Sequence, residues 1–462
     1  MNKVQEVQED NLLALEARYC SYGDTVHYAK NPKLFTSCEG SYVFDASSTP
    51  FLDLNMQNAA AGLGYKHPRL IATLKNQLDV LPQLASQFLH KEKILLAKGL
   101  CEQAERAFGR LGRVHFNVGG AQAIEDALKL IRRNTENPLM FAFMGGYHGR
   151  TLGATAITSS YRYREGLGSF PYRALFVPYP YCFRCYYEKK PEDCGLYCLR
   201  MFERLFESEY YGAYNPKTGR SEFAAFFSEP LQGTGGYIVP PKGYFPELAR
   251  ILKAHGVLFV DDEVQMGFMR TGRLFAMEHF GASPDIVTFS KALTGGLNPL
   301  SGLWADKALI GPERFGPGST HSTFSSNTLG TVLGLEVLKI FEENPAFGDR
   351  VLEKGRKFLD GLKTITRPYK MVGNVDGLGL ALRLEICQED GFTPNYPMTQ
   401  RLFDTGLEAK LEANGKRYGL VLAVGGYFKN VITVIPSLLI EDSEIDLALT
   451  LFEQLFKACE MR

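Results

Sequence analysis

Between about residue 68 and Pro345, short apolar runs alternate with helical stretches, and this alternation restricts the fold more than any other feature. Arg113–Phe116, Leu139–Phe143, Ala224–Phe227, Val257–Val260 and Ile286–Phe289 read as strands. Helical stretches occur at Ile124–Arg133, Phe245–Ala254 and Thr328–Phe341. Strands apolar along their whole length belong in a largely parallel sheet with helices on both faces, an α/β architecture. Such sheets bind ligands beyond the carboxyl ends of their strands. The polar residues that follow each strand are therefore the first place to look for chemistry.

The flanks read differently. The first twenty residues form an amphipathic helix with Leu12, Leu13, Leu15 and Ala17 near one side. Strand-like pieces follow at Leu34–Ser37, Tyr42–Phe44 and Phe51–Leu54, separated by Gly40, Asp45 and Pro50. After Pro345 come a helix, strands at Gly379–Glu385 and Val431–Ile435, and a last helix to Cys459. A chain of 462 residues exceeds what one core usually organises. The expected division is a large domain over 61–344, with 1–60 and 345–462 building a smaller one from both chain ends. The 51 basic and 51 acidic side chains cancel, which gives no general reason to bind nucleic acid or an anionic membrane. A small-molecule partner is expected instead. No apolar run approaches the ~20 residues that a bilayer requires. The acidic N-terminus lacks a signal-like apolar segment, so a cytoplasmic setting is expected, where the nine cysteines stay reduced.

Four segments could carry chemistry. Lys291 ends the strand at Ile286–Phe289, ahead of Gly295-Gly296; burial there would favour the neutral, nucleophilic amine. Taken alone, it reads more readily as a surface lysine whose stem packs on the domain. Asp261, Asp262 and Glu263 follow Val257–Val260; one of them could pair with a protonated ring nitrogen, or all could cap a solvated strand end. Gly119-Gly120-Ala121 lies between strand and helix, either as a phosphate cradle or as a plain connector. Tyr147, beside His148, could stack on a flat ring or pack in the core.

Read together and in order, these segments resemble the class III aminotransferases of the ornithine/4-aminobutyrate type. The acid motif of that family, D-E-V-Q then a glycine and R-T-G, is matched by Asp262-Glu263-Val264-Gln265-Met266-Gly267 and Arg270-Thr271-Gly272. Its lysine follows one short strand later, as Lys291 does here. Its S-G-x-E-A turn resembles Gly119–Ala123, and its aromatic-H-G-R-T resembles Tyr147–Thr151. Its E-P-x-Q-G-x-G-G resembles Glu229–Gly236, and its S-T-F-x-x-N resembles Ser322–Asn327. The likeness runs from Asp45 to the C-terminal helix.

The resemblance implies the type I fold of pyridoxal-phosphate enzymes, a large domain with a mostly parallel sheet plus a smaller α+β domain. It implies that Lys291 carries the cofactor as a Schiff base and shuttles a proton, and that Asp262 pairs with the pyridine nitrogen. Val264 and Tyr147 are expected on opposite ring faces, with His148 beside Tyr147, and Gln265 at the phenolic oxygen. Gly120 and Ala121 are expected to hold the phosphate, and Glu229 belongs with the cofactor site. Thr323 is expected to reach the phosphate of a neighbouring subunit, making a homodimer the working unit. The reaction implied takes an amino group from an amine or ω-amino acid to a 2-oxo acid. Amino-acid epimerisation or racemisation on the same scaffold is the alternative, because Tyr147-His148-Gly149 followed by Pro178-Tyr179-Pro180 resembles epimerase relatives. A nicotinamide dehydrogenase is disfavoured, as the chain has no dinucleotide fingerprint.

The departures concern substrate. Gln122 replaces the acid of the phosphate turn, and Gly119 its serine. Thr234 stands where relatives have a second glutamate, and Thr433 where they have an arginine for a substrate carboxylate. Either the substrate lacks that carboxylate or a cation elsewhere takes it, for example Arg417 or Lys429. Finally, Cys182, Cys185, Cys194 and Cys198 have spacing that suits a structural zinc, with Cys194 and Cys198 expected on one helical face.

Overall fold

A computed structural model describes residues 9–21, 23, 30 and 32–460. Three strands come first: β1 (Phe35–Glu39), β2 (Tyr42–Asp45) and β3 (Pro50–Asp53). The large sheet contains β4 (Gly112–Asn117), β5 (Leu139–Phe143), β6 (Arg173–Val177), β7 (Phe223–Ser228), β8 (Leu258–Asp262), β9 (Ile286–Phe289) and β10 (Ser301–Asp306). Then follow β11 (Val372–Leu378), β12 (Ala381–Ile386), β13 (Leu411–Ala413), β14 (Lys416–Val421), β15 (Ala423–Gly425) and β16 (Val431–Val434).

The large sheet has the order β4-β10-β9-β8-β7-β5-β6. Strands β9, β8, β7, β5 and β6 run parallel, whereas β10 lies antiparallel to both β9 and β4. All six residues of β7 and all four of β9 are buried, as strands covered on both faces require. Two of the seven strands escape the periodicity reading. Strand β6 is an edge strand whose residues alternate between exposed and covered from Arg173 onward, and β10 opens and closes on polar Ser301 and Asp306. Beneath the sheet, the Phe141 ring stacks on Phe223 at 3.7 Å and meets Phe202 edge-on at 5.1 Å. Each fully buried ring of this kind contributes ~1.5–3 kcal/mol of apolar burial.

Both ends of the chain meet in a second sheet, β1-β2-β3-β14-β13, where β3 and β14 run parallel with Phe51 opposite Gly419. A Cβ at Gly419 would lie 2.1 Å from the Phe51 ring, so this junction admits only glycine. A third sheet, β11-β12-β16-β15, is antiparallel and stands behind the cleft described below. The helix Glu9–Tyr19 leaves Leu12 and Leu15 exposed, so its apolar side is not buried against this chain; residues 1–8 of the expected helix lie outside the described residues. No helix among the described residues is long and apolar enough to cross a membrane.

Candidate active site

The carboxyl ends of β5, β7, β8 and β9 open into one cleft of about 540 Å³. Gly120, Ala121, Tyr147, His148, Glu229, Asp262, Val264, Gln265 and Lys291 all line it. Strand geometry accounts for this convergence. The acids Asp261, Asp262 and Glu263 are successive in extended chain, so their side chains alternate in direction. Asp262 alone faces the cleft. Its Oδ2 accepts a hydrogen bond from His148 Nδ1 at 2.7 Å, and its Oδ1 accepts from the Val264 amide at 3.1 Å and Thr288 Oγ1 at 3.3 Å. Thr158 Oγ1 in turn accepts from the His148 amide at 2.9 Å. Thr158 and Thr288 were not foreseen, because a threonine inside an apolar run carries no periodic signal.

Lys291 directly follows Ser290 at the end of β9, with a left-handed φ of +46°. A non-glycine residue held there costs about 1–3 kcal/mol and persists only where surroundings impose it. Burial lowers the proton affinity of its amine, and the charges of Asp262 and Glu229 offset this only in part. The neutral amine, which this shift favours, is the form that attacks a carbonyl.

Helix Gly120–Asn134 starts at the cleft floor. The Gly119 amide donates to Gln122 Oε1 at 3.0 Å, so glutamine performs the capping that a glutamate would. A Cβ at Gly120 would stand 3.1 Å from Val264 Cγ1, which keeps backbone amides as the surface presented there. Glu229 accepts from the Tyr147 amide at 3.0 Å and the Gly233 amide at 2.8 Å, tying both loops together. Burial pushes its carboxyl up to about 7, against the pull of His148. For His148 itself, burial disfavours the imidazolium, but the hydrogen bond and charge of Asp262 outweigh it and raise its proton affinity. Tyr163, which meets Tyr147 edge-on at 5.2 Å, also lines the cleft; its segment has no strand pattern to mark it.

On the opposite side of β8, Asp261 and Glu263 are buried without a salt bridge among the described residues. Burial raises both carboxyls, with the Glu263 charge adding to it at Asp261 and the Glu278 charge at Glu263, which reaches about 8. The folded protein thus holds protons that an unfolded chain releases near pH 4. Their stabilisation is complete below that pH and is lost as pH rises through about 8. Cofactor-free protein is expected to melt at lower temperature at pH 9 than at pH 6. Glu263→Gln, neutral throughout, should flatten that slope in calorimetry; an unchanged slope would show that the pair shares no proton.

Some expected residues do not join the cleft. Thr323 is exposed, away from Lys291 of its own chain. Arg417 is exposed and pairs with Glu412 at 3.5 Å, and neither it nor Lys429 lines the cleft. The zinc expectation is corrected. Cys182, Cys185, Cys194 and Cys198 do line one small pocket, yet no three metal-binding side chains are placed to share an ion among the described residues. Cys194 precedes the helix Tyr197–Glu203, and left-handed turns at Gly195 and Leu196 break the helical spacing to Cys198. Burial and the neighbouring cysteines raise the thiols of Cys182 and Cys198, the latter to about 11.

Comparison with known proteins agrees with this geometry. The family described as Aminotransferase class-III matches residues 26–456. The 4-aminobutyrate aminotransferase GabT of Escherichia coli is 32% identical, covering 92% of this chain and 94% of that protein. An alanine/serine racemase of Pyrococcus horikoshii is 31% identical, covering 90% and 84%. Among solved structures, an amine transaminase from an uncultivated Pseudomonas species, in its pyridoxal-phosphate-bound form, superposes with a TM-score of 0.82 at 25% identity, covering 94% of this chain and 97% of that one.

Proposed function

The chain belongs to the class III aminotransferases, and from that premise we propose that its cleft moves an amino group from an amine or ω-amino acid to a 2-oxo acid, with Lys291 as the reacting amine. The observation that carries the reading is the convergence of the buried Lys291, the Asp262–His148 pair and the Gly120 helix start in one cleft. These residues fit pyridoxal phosphate. The close approach at Gly120 suits a phosphate on backbone amides, and a carboxylate braced by His148 suits a cationic ring nitrogen.

When bound, pyridoxal phosphate supplies the electron sink that stabilises negative charge on the substrate carbon. The protein's share is positional and acid–base. Gly120 and Ala121 amides hold the phosphate at the positive end of a fifteen-residue helix. Asp262 keeps the ring nitrogen protonated, and His148 fixes the Asp262 carboxylate. Val264, Tyr147 and Gln265 line the cleft, where the first two would flank the ring and Gln265 would meet its phenolic oxygen. Glu229, which also lines the cleft, positions Tyr147 by accepting from its amide. Lys291 carries the proton on and off the substrate carbon, for which its lowered proton affinity suits it. Thr323, exposed on its own chain, completes the phosphate site of a second copy, which makes the active form a homodimer in the cytoplasm.

Racemisation is the second reading, favoured by the likeness to the Pyrococcus alanine/serine racemase and, at 28% identity, to a leucine/methionine racemase of Thermococcus litoralis. One experiment separates them: the visible spectrum of the purified holoenzyme, followed while amines and amino acids are added without any oxo acid. Lasting loss of the visible band, reversed by a 2-oxo acid, is the expected result. A band that shifts transiently and returns, with the enantiomer accumulating, would replace transfer by racemisation.

A further inference from the structure

The segment between β6 and β7 carries chemistry that the proposed reaction does not use. Cys182 opens a short turn, Cys182–Arg184, and Cys185 closes it. Further on, the left-handed backbone at Gly195 and Leu196 folds the chain back. Cys198 of the helix Tyr197–Glu203 thereby returns to the pocket that Cys182, Cys185 and Cys194 line. The space there is about 30 Å³, room for water and for no organic ligand. All four cysteines are free thiols, and Cys182 and Cys194 are both half-buried, within reach of a small reagent. Neither has a strong partner: Cys182 Sγ lies 3.9 Å from the carbonyl oxygen of Pro180, and Cys194 Sγ 3.9 Å from that of Pro191. Of the charges that act on Cys182, that of Cys194 is the largest, ahead of Cys185.

The same turn ties this segment to the third sheet. The Tyr181 hydroxyl donates to the Glu385 carboxylate of β12 and accepts from Arg383 Nη2 at 2.6 Å. Arg184 donates to Glu385 and to the carbonyl oxygen of Phe392, and its guanidinium covers the Phe392 ring at 4.6 Å and the Phe428 ring at 5.5 Å. Cys182 sits between these two anchors. From here contacts lead on to the cleft. The Tyr181 ring meets Tyr427 at 5.7 Å, and the Tyr427 hydroxyl donates at 2.6 Å to the carbonyl oxygen of Met144, three residues before Tyr147. A disulfide fixes its two Cβ atoms about 3.8 Å apart. Closed between Cys182 and Cys194, it would position the turn by the Cys194 loop and no longer by Glu385.

We propose that Cys182 and Cys194 form a reversible disulfide with a low-molecular-weight disulfide as oxidant, and that its closure loosens the Tyr181 and Arg184 anchors on β12 and slows turnover. Cys194 lies between exposed Asp193 and Gly195, so it meets the oxidant first. Its thiolate attacks one sulfur of the small disulfide and expels the first small thiolate, which takes up the Cys194 proton. Burial keeps Cys182 protonated, which makes it the second to react. It attacks the Cys194 sulfur of the mixed disulfide, and its proton passes to the second small thiolate as that leaves. Two protein thiols are oxidised, and one small disulfide is reduced to two thiols.

The test treats the holoenzyme with oxidised glutathione and maps its disulfides by peptide mass under non-reducing conditions. A Cys182–Cys194 linked peptide is expected, with turnover lowered by about fivefold or more, the lower end of coupling between distant sites. Dithiothreitol should restore the rate. Backbone amides of β12 should exchange hydrogen faster in the oxidised protein than in the reduced one. Cys182→Ser and Cys194→Ser should keep the reduced rate and lose both responses, whereas Cys198→Ser should keep both. The inference is overturned if glutathione stops at a mixed disulfide, if other cysteines pair instead, or if the Cys182–Cys194 bond forms with β12 exchange unchanged. Disulfide mapping and hydrogen exchange need no turnover, so failure of the transaminase reading would leave this test intact.

Discussion

Lys291→Ala is expected to lower turnover by at least about 10³-fold and to abolish the visible band of bound cofactor, while the fold is retained. General acid–base catalysis by one positioned side chain contributes about 10²–10⁴-fold, and Lys291 is also proposed as the nucleophile that anchors the cofactor. Both roles need a primary amine whose proton is easily lost, and desolvation in the cleft provides it. Lys291→Arg should be equally inactive, since a guanidinium keeps its proton. Small primary amines added to Lys291→Ala should return part of the rate, because they replace the proton carrier without its tether. Turnover of Lys291→Ala within tenfold of the unsubstituted enzyme would place the reacting amine elsewhere.

Asp262→Asn is the second large effect. The change preserves shape but removes the charge facing the cleft, and it replaces a charge-assisted hydrogen bond from His148 with a neutral one. A preorganised charge in a water-poor site is typically worth about 10²–10³-fold in rate. A kcat loss of that order is expected, with little change in folding temperature. Asp262 also supports the raised proton affinity of His148, so imidazole titration followed by NMR should move to lower pH in Asp262→Asn. Loss of rate without that movement would mean that the pair is not coupled as the geometry suggests.

Much of this was readable before any coordinates, for a physical reason. The strands of the large sheet are apolar on both faces, so Leu139–Phe143 and Ile286–Phe289 stand out at their observed limits. The residues behind them announce themselves as polar groups where apolar chain stops. Thus Lys291, Asp262 and the Gly119–Ala121 turn could be picked out individually and then recognised in their order. What escaped was whatever depends on pairing between distant strands. Arg383 sits in an ordinary-looking strand, and only the register places it opposite Thr433. The cysteine spacing misled for a related reason, since a local count assumed a helix through Cys194 that Gly195 and Leu196 interrupt.

The left-handed backbone at Lys291 has a bearing on how such an enzyme can be improved. Of the twenty residues, glycine would relax that position most, and like every other substitution it forfeits the amine. Activity and robustness therefore pull in opposite directions at a single residue. A library screened only for survival at high temperature would drift toward inactive members here. Thermostable descendants of this protein have to find their gains in the surrounding scaffold, leaving the left-handed backbone at Lys291 in place with the amine it carries.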